Sequence, residues 1–246
     1  MPAVVEVRLW GLATGRVPHA LVRMGTDRRR LRGVRGLEFA KLLGTGAGRT
    51  FTPRDADPRR WGLLTVWADG EAARAFDTGP VVAGWRRWAD EEWVVHLRPL
   101  ASRGRWSGRE PFGRPAPRPW DGPVAAVTRA RLSLPRAGRF WRAVPPVAAE
   151  LRRSPGLLVA LGIGEAPLAL QGTFSAWDGA AALNAFAHTG AVHAGVARRT
   201  ADEHWYAEEL FARFAVLSSR GTLRGRDPLA AALSAARPGR AASAAP

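Results

Sequence analysis

The sequence contains no cysteine, which excludes structural disulfides, thiolate metal sites and cysteine nucleophiles. Lysine is almost absent as well, since Lys41 is the only one among 246 residues. No run approaches the ~20 apolar residues that a membrane-spanning helix needs, and the N-terminus lacks the basic and apolar regions of a secretory signal. We therefore expect a cytoplasmic protein, with peripheral attachment to a membrane as an open alternative.

The remaining composition is that of a globular protein. Hydrophobic residues make up 46% and charged residues 24% of the chain, which is enough apolar material for a core. The net charge of +16 would suit nucleic acid. The bases are nearly all arginine and are scattered, with short clusters such as Arg28–Arg30, so we attribute the charge to a high-GC genome. We expect no specific nucleic-acid partner and keep attraction to anionic lipid as a minor alternative.

Strand and helix patterns occur in the same order twice along the chain. In the first half we predict strands at 4–12, 49–52, 61–68 and 93–100, two short helices within 18–43, and a helix at 71–89 broken by Gly79 and Pro80. In the second half we predict strands at 124–134, 157–162, 168–177 and 215–219, a helix at 137–153 interrupted at Pro145 and Pro146, and helices at 180–199 and 203–214. Each half has the order of a ferredoxin-like split βαβ unit. The predicted class is α+β, with tandem ferredoxin-like repeats whose four-stranded antiparallel sheets face each other as an open barrel.

The domain boundaries follow from this repeat. We assign residues 1–101 to the N-terminal half and 124–226 to the C-terminal half. Residues 102–123 are rich in proline, glycine and arginine and are predicted to be a linker. Residues 227–246 form a tail that we expect to be partly disordered after a short helix.

Histidine is the residue type that could carry a metal or cofactor in a chain without cysteine. His188 and His193 are five apart, so on one helix their directions diverge by about 140° and they cannot share a metal ion. A single histidine is enough for haem, because the porphyrin supplies four nitrogens. Residues one helical turn from His193 include Gly190 and Ala197, which are small enough to let a flat macrocycle lie close. Phe186 lies on the same predicted face.

Other side chains would complete such a pocket. Arg198, Arg199 and Arg129 could pair with propionates. Aromatic residues could form its walls, and they include Trp177, Trp205 and Phe211. A second interpretation remains open on the residues alone: an alanine-rich helix can pack tightly against a sheet with its histidine hydrogen-bonded, and aromatic residues at this density are then core.

Several long strings carry a resemblance to a known family. They are FAKLLGTGAGRTFTPRDADPRRWGLLTVW, GPVAAVTRARL, FWRAVPPV, GIGEAPLALQGTFSAW and WYAEELFARF. Together they resemble the spheroidene monooxygenase family of carotenoid biosynthesis and its actinobacterial relatives, over nearly the whole chain from Trp10 to Leu229. The family pattern places a histidine before an Arg-Thr pair and the last of these strings, and in this sequence that histidine is His193.

The resemblance implies a haem-dependent monooxygenase with a fold of the dimeric α+β barrel type, similar to aldoxime dehydratases and dye-decolourising peroxidases. It implies haem b with His193 as the iron ligand, an apolar carotenoid-like substrate, and an external electron donor or peroxide. We expect the sheet of the second half to form part of the distal face through Arg129, Arg131, Gln171, Thr173 and Ser175. A homo-oligomer is an open possibility. The alternatives are a haem lyase of the aldoxime dehydratase kind and a non-catalytic protein that binds haem or an apolar ligand.

Overall fold

The computed structural model describes residues 4–49, 55–116, 118–132, 137–166, 170–189 and 206–236. The elements of the first half are β1 (Val4–Gly11), α1 (Val17–Arg30), β2 (Leu37–Gly46), β3 (Ala56–Trp67), α2 (Gly70–Asp77), α3 (Pro80–Arg86) and β4 (Glu91–Gly104). Those of the second half are β5 (Val124–Leu132), α4 (Ala137–Arg153), β6 (Leu157–Ala166), β7 (Leu170–Trp177), α5 (Ala180–Thr189), β8 (Tyr206–Gly221) and α6 (Ala230–Ala235). No helix in these ranges is both long enough and apolar enough to cross a bilayer.

The eight strands form one closed barrel in the order β1-β3-β2-β6-β7-β5-β8-β4. The order divides into an N-terminal half-sheet, β4-β1-β3-β2, and a C-terminal half-sheet, β8-β5-β7-β6. Each has the ferredoxin-like order, and antiparallel pairing of β4 with β8 and of β2 with β6 joins them. The predicted tandem ferredoxin-like α+β fold is therefore confirmed. The expectation of an open barrel is wrong, because both seams are hydrogen-bonded and close it.

Side chains that alternate along each strand separate the barrel interior from the outer faces. In β1, Val5, Val7 and Leu9 point into the interior core, while Trp10 packs with the helices outside. Large apolar side chains fill the interior, among them Trp93, Phe174 and Phe214. The inside of this barrel is thus a packed core, as in other eight-stranded barrels, and the outer faces are where helices cover the sheet.

Three predictions about single elements are wrong. One helix, α1, and then strand β2 replace the two short helices predicted within 18–43. The segment predicted as a helix at 203–214 is strand β8 from Tyr206 onward. Its alternate residues Leu210, Ala212 and Phe214 fill the interior, and pairing on both sides overrides the helical spacing of its apolar residues. The third is α4, which continues through Pro145 and Pro146 without a break.

Other boundaries were predicted correctly or shift slightly. The break at Gly79 and Pro80 is confirmed, because α2 ends at Asp77 and α3 begins at Pro80. Strand β4 runs to Gly104, three residues into the predicted linker. Of the strand predicted at 49–52, residues 50–52 lie outside the described residues, as do 190–205 and 237–246.

Candidate functional site

The outer face of the C-terminal half-sheet carries the candidate site. Cross-strand pairs align Phe211, Thr128, Thr173 and Gly162 in one row across four strands. The next row is Arg213, Ala126, Ser175 and Ala160. Apart from Phe211 and Arg213 on β8, these side chains are small, so three adjacent strands present a shallow surface beneath the helices.

The small side chains of this face are incompletely covered. Ala126, Thr128 and Thr173 lie at the centre of the sheet, yet each is only half-buried. Ser175, one row away, is buried, and its hydroxyl accepts a hydrogen bond from the Trp177 ring nitrogen at 3.1 Å. Central positions beneath helices are ordinarily buried by large side chains. The surface around Thr128 and Thr173 therefore has room for a flat ligand and offers it two hydroxyl groups.

An aromatic wall closes one end of this surface. Trp177 is fully buried on β7, and Phe186 of α5 stacks on it with ring centroids 5.4 Å apart and an interplanar angle of 30°. Leu151 of α4 and Leu157 of β6 belong to the same apolar cluster. Trp177 and Phe186, both predicted to bind a cofactor, are thus brought together by the fold.

Two arginines that were not predicted as site residues lie on the β8 side of the surface. Arg213 donates a hydrogen bond to the Asn184 side-chain oxygen on α5 at 3.1 Å. Arg103 of β4 pairs with Phe211, and its guanidinium lies 4.5 Å from the centre of that ring. Reading 206–214 as a strand would have put Phe211 and Arg213 on one face, because strand residues two apart share a side. Both arginines could hold a carboxylate group of a ligand.

The predicted residues of the distal face do not all lie together. Thr173 is on the outer face, and residue 171 shares that face by register. Arg129 pairs with Leu210 and Gly172, and Arg131 pairs with Glu208, so both follow the inward-facing register. Ser175, two residues from Thr173 on β7, is on the outer face as well. Two of the five predicted distal residues are therefore separated from the other three by the thickness of the sheet.

Inside the barrel Arg129 is buried in an ionic network. Its guanidinium pairs with Glu208 through a short contact and with Glu165 at 3.3 Å. Glu165 also pairs with Lys41 at 2.5 Å and accepts a hydrogen bond from the Trp106 ring nitrogen at 2.6 Å. The network anchors the segment after β4, which includes the buried Trp106, into the barrel. Arg129 therefore helps to close this end of the barrel through these contacts.

Glu208 ties the same segment to β8. Its carboxylate accepts the backbone N–H groups of Ser107 at 2.9 Å and Gly108 at 2.7 Å. Burial alone would raise the pKa of Glu208, but these two N–H groups and the Arg129 guanidinium lower it below its ordinary value. The carboxylate is thus held ionised as a structural anchor.

Several predicted residues lie outside the described part of the chain: Gly190, His193, Ala197, Arg198, Arg199 and Trp205. Helix α5, which precedes them, extends to Thr189 and includes position 188. Within the described ranges, no group of three or more histidine, aspartate or glutamate side chains is arranged to hold a metal ion. Helix α5, which carries Phe186 of the aromatic wall, is the last described element before His193 in the sequence.

A groove of about 580 Å³ occurs elsewhere, between the start of β3, the segment after β2 and the loop after β8. Arg49, Asp57 and Arg224 are among its lining residues, and none of the predicted site residues lines it. It is open to solvent, and Arg60 on its wall is already paired with Asp57 and Glu91. The groove does not coincide with the surface around Thr128 and Thr173.

Comparison with known proteins gives close relatives for most of the chain. Spheroidene monooxygenase from Rhodobacter capsulatus is 37% identical over 223 residues, which is 88% of this chain and 91% of the relative. Spheroidene monooxygenase from Rubrivivax gelatinosus is 42% identical over 193 residues, or 78% of this chain and 73% of the relative. No family model matches the sequence.

Solved structures agree on the architecture. A crystal structure of aldoxime dehydratase superposes with a TM-score of 0.58 at 9% identity, covering 87% of this chain and 80% of that one. A second aldoxime dehydratase, in complex with butyraldoxime, gives 0.56 at 11% identity, covering 94% and 84%. At these identities the similarity establishes only the fold. That fold agrees with the strand order of the barrel described above.

Proposed function

Because the chain belongs to the spheroidene monooxygenase family, as 37–42% identity over most of its length shows, we propose that it is a haem-dependent monooxygenase that inserts oxygen into an apolar, carotenoid-like substrate. The observation that carries the location of its site is the half-buried surface of small side chains around Thr128 and Thr173. Haem b would lie on this surface, and His193 is the proposed iron ligand.

The described residues suit such a cofactor. Ala126, Thr128 and Thr173 leave space for a planar macrocycle, while Trp177 and Phe186 provide an apolar wall for its edge. Arg103 and Arg213 stand at the other side, where propionates would meet solvent and cations. Gly190, Ala197, Arg198, Arg199 and Trp205 remain proposed contacts. When bound, haem supplies an iron that activates dioxygen or peroxide for transfer of one oxygen atom.

The protein's own part in the reaction is to position the bound ligand and to exclude water from the site. The apolar cluster around Trp177 keeps one side of the site dry, which strengthens every polar interaction within it. The Thr128 and Thr173 hydroxyls can donate hydrogen bonds toward a ligand on the sheet surface. With dioxygen, the second oxygen atom leaves as water and two electrons come from an external donor; with peroxide no donor is needed. A carotenoid-like substrate is lipid-soluble, so we include a peripheral approach to the membrane in this proposal.

The visible spectrum of the purified protein tests the proposal, recorded as isolated, after dithionite and after carbon monoxide. We expect a Soret band that shifts on reduction and again with carbon monoxide. The variant His193→Ala should lose this band, while the matched variant His188→Ala should keep it. Loss of the Soret band only in His188→Ala would identify His188 as the iron ligand. A colourless wild-type protein that takes up no added haem would contradict the proposal of a haem cofactor.

Oxygen dependence separates the proposed reaction from a dehydratase reaction. We expect product from a carotenoid substrate only with dioxygen and reductant, or with peroxide, and labelled oxygen from dioxygen should enter the product. Turnover of an aldoxime under strict anaerobiosis, with no carotenoid product in air, would replace the monooxygenase by a lyase.

A further inference from the structure

We propose that α1 and the turn after it form a docking surface for anionic lipid membranes. We call it the α1 surface and define it by six exposed residues: Leu21, Val22, Arg28, Arg29, Arg32 and Arg35. The inference extends the proposed function, on which it rests for the lipid-soluble substrate. It concerns a part of the fold that none of the described residues of the proposed haem site occupies.

The apolar part of the surface is unusual for this molecule. Among the described residues, the exposed large hydrophobic side chains are Leu21 at 58%, Val22 at 64% and Leu217 at 40% exposure. Two of these three are therefore neighbours on one helix. Ala20 and Asp27, on the opposite side of α1, are fully buried against the fold. The helix is thus firmly seated and still turns a leucine and a valine toward solvent.

The basic part lies on the same side of the helix. Arg28 and Arg29 follow Leu21 and Val22 by seven residues, which is about two turns, so each arginine lies within about 20° of the apolar residue and about 10 Å farther along the axis. Arg32 and Arg35 continue the cluster into the turn before β2 and are exposed. The surface thus has an apolar end and a cationic end.

Among the described residues, little of the charge of this region is neutralised. Residues 28–38 contain five arginines and one acidic residue, Glu38. Arg30 pairs with the buried Asp27 at 3.1 Å. Arg29, Arg32 and Arg35 form no ion pair with any other described residue, and Arg28 donates only a 3.4 Å hydrogen bond to the Glu165 backbone carbonyl. Positive residues near a helix C-terminus do favour the helix dipole, but that effect covers the last turn and does not account for Leu21 and Val22 at the other end.

Anionic lipid is the partner whose chemistry matches both parts. Interfacial helices bind membranes by burying apolar side chains at the headgroup boundary while basic side chains meet anionic headgroups. Nucleic acid would use the arginines and leave Leu21 and Val22 unexplained. A second copy of this chain would bring the same cationic cluster against itself. The membrane is therefore the occupant that the surface favours, and docking there would hold the protein where a lipid-soluble substrate resides.

Sedimentation with vesicles tests the surface without any need for haem. We expect the protein to bind vesicles containing phosphatidylglycerol and to bind phosphatidylcholine vesicles much more weakly. The triple variant Arg29→Gln, Arg32→Gln, Arg35→Gln should reduce binding about a hundredfold, since each basic residue near an anionic surface contributes about fivefold. The control Arg118→Gln, Arg224→Gln, Arg226→Gln removes the same charge from exposed positions elsewhere and should change binding far less. Equal losses in both triple variants would overturn the proposal in favour of non-specific attraction.

The apolar end has a separate test. Leu21→Asn with Val22→Asn should weaken vesicle binding about tenfold, because insertion of two apolar side chains is lost without a change of charge, and should leave binding to duplex DNA nearly unchanged. Since the chain has no cysteine, Val22→Cys can carry the sole polarity-sensitive fluorophore, with Thr78→Cys as the exposed control. A blue shift with anionic vesicles is expected at position 22 and absent at position 78. No shift at position 22, or an equal shift at positions 22 and 78, would overturn membrane docking.

The two proposals fail separately. A protein that has a Soret band and does not bind anionic vesicles would contradict membrane docking by the α1 surface and would still support the proposed enzyme. A colourless protein that binds vesicles through position 22 would do the reverse.

Discussion

The two half-sheets have the same strand order and different outer faces. On the N-terminal half-sheet, the central row includes Arg8 and Leu63, both fully buried. Trp10 there stacks on Trp85 of α3 with centroids 4.8 Å apart. The equivalent row of the C-terminal half-sheet holds Thr128 and Thr173, which are small and half-buried.

This difference indicates how one fold divides its tasks. The N-terminal half fills the space between sheet and helices with indole rings and a buried cation, which gives rigidity. The C-terminal half leaves a comparable space open. Its sheet and helices pack less closely there, and a ligand could fill that space. Substitutions in each half test this division.

Arg8→Met should be the most damaging substitution. Arg8 is completely buried and pairs with Glu6 at 2.8 Å, Asp77 at 2.6 Å and Glu92 at 2.7 Å. Its loss leaves the buried Glu6 carboxylate with only His96 beside it and removes one cation from each of the partly buried Asp77 and Glu92. The expected cost is about 3–5 kcal/mol of the free energy of unfolding. Urea unfolding measures this, and the spectrum of the protein that stays folded should be unchanged.

The matched control is Arg16→Met. Arg16 pairs with Asp90 at 2.6 Å, but both side chains are about half exposed, so its loss should cost at most about 1 kcal/mol. Equal destabilisation by the two variants would show that the N-terminal half is not held by its buried charge.

Low pH should weaken the same ionic network around Arg8. Burial alone would raise the pKa of Asp77, but the hydrogen bond and charge of Arg8, with the charges of Arg220 and Arg86, lower it from 3.8 to about 2. A carboxylate with a lowered pKa stabilises the fold above its unfolded pKa and loses that contribution as the pH falls through its folded pKa. We expect stability to fall between about pH 4 and pH 2, and Asp77→Asn to flatten the profile in this window. An unchanged profile in Asp77→Asn would assign the acid loss to other carboxylates.

Filling the surface on the C-terminal half-sheet should change ligand binding more than stability. Thr128→Phe places a ring on the open row, so haem content should fall about tenfold for a clash worth about 1.4 kcal/mol. The free energy of unfolding should change by only about 1 kcal/mol, because the site is half-buried. Thr78→Phe, at an exposed position, is the control for an added ring. Full haem content in Thr128→Phe would show that haem lies elsewhere.

The sequence predicted the tandem α+β order because each strand carries period-two apolar runs and turn residues separate them. It could not predict closure of the barrel, since the short β2–β6 seam depends on pairing between residues more than a hundred positions apart. Strand β8 was mistaken for a helix because Leu210, Phe211 and Phe214 also fit helical spacing, and only its two neighbours decide between the periods. That error also hid Arg213 and separated Arg129 from its true partner, Glu208.

Arg213→Gln should give the smallest effect. Its side chain is partly exposed and donates one hydrogen bond to Asn184, so the free energy of unfolding should change by about 0.5 kcal/mol or less. If it also meets a propionate, the affinity for added haem should fall about fivefold, as expected for one charge-assisted hydrogen bond at a solvent-facing site. Haem titration measures this against Arg226→Gln, an exposed arginine on the loop after β8. Equal affinities in the two variants would leave Arg213 a surface residue and move the propionate partner to Arg103 or to the chain beyond α5.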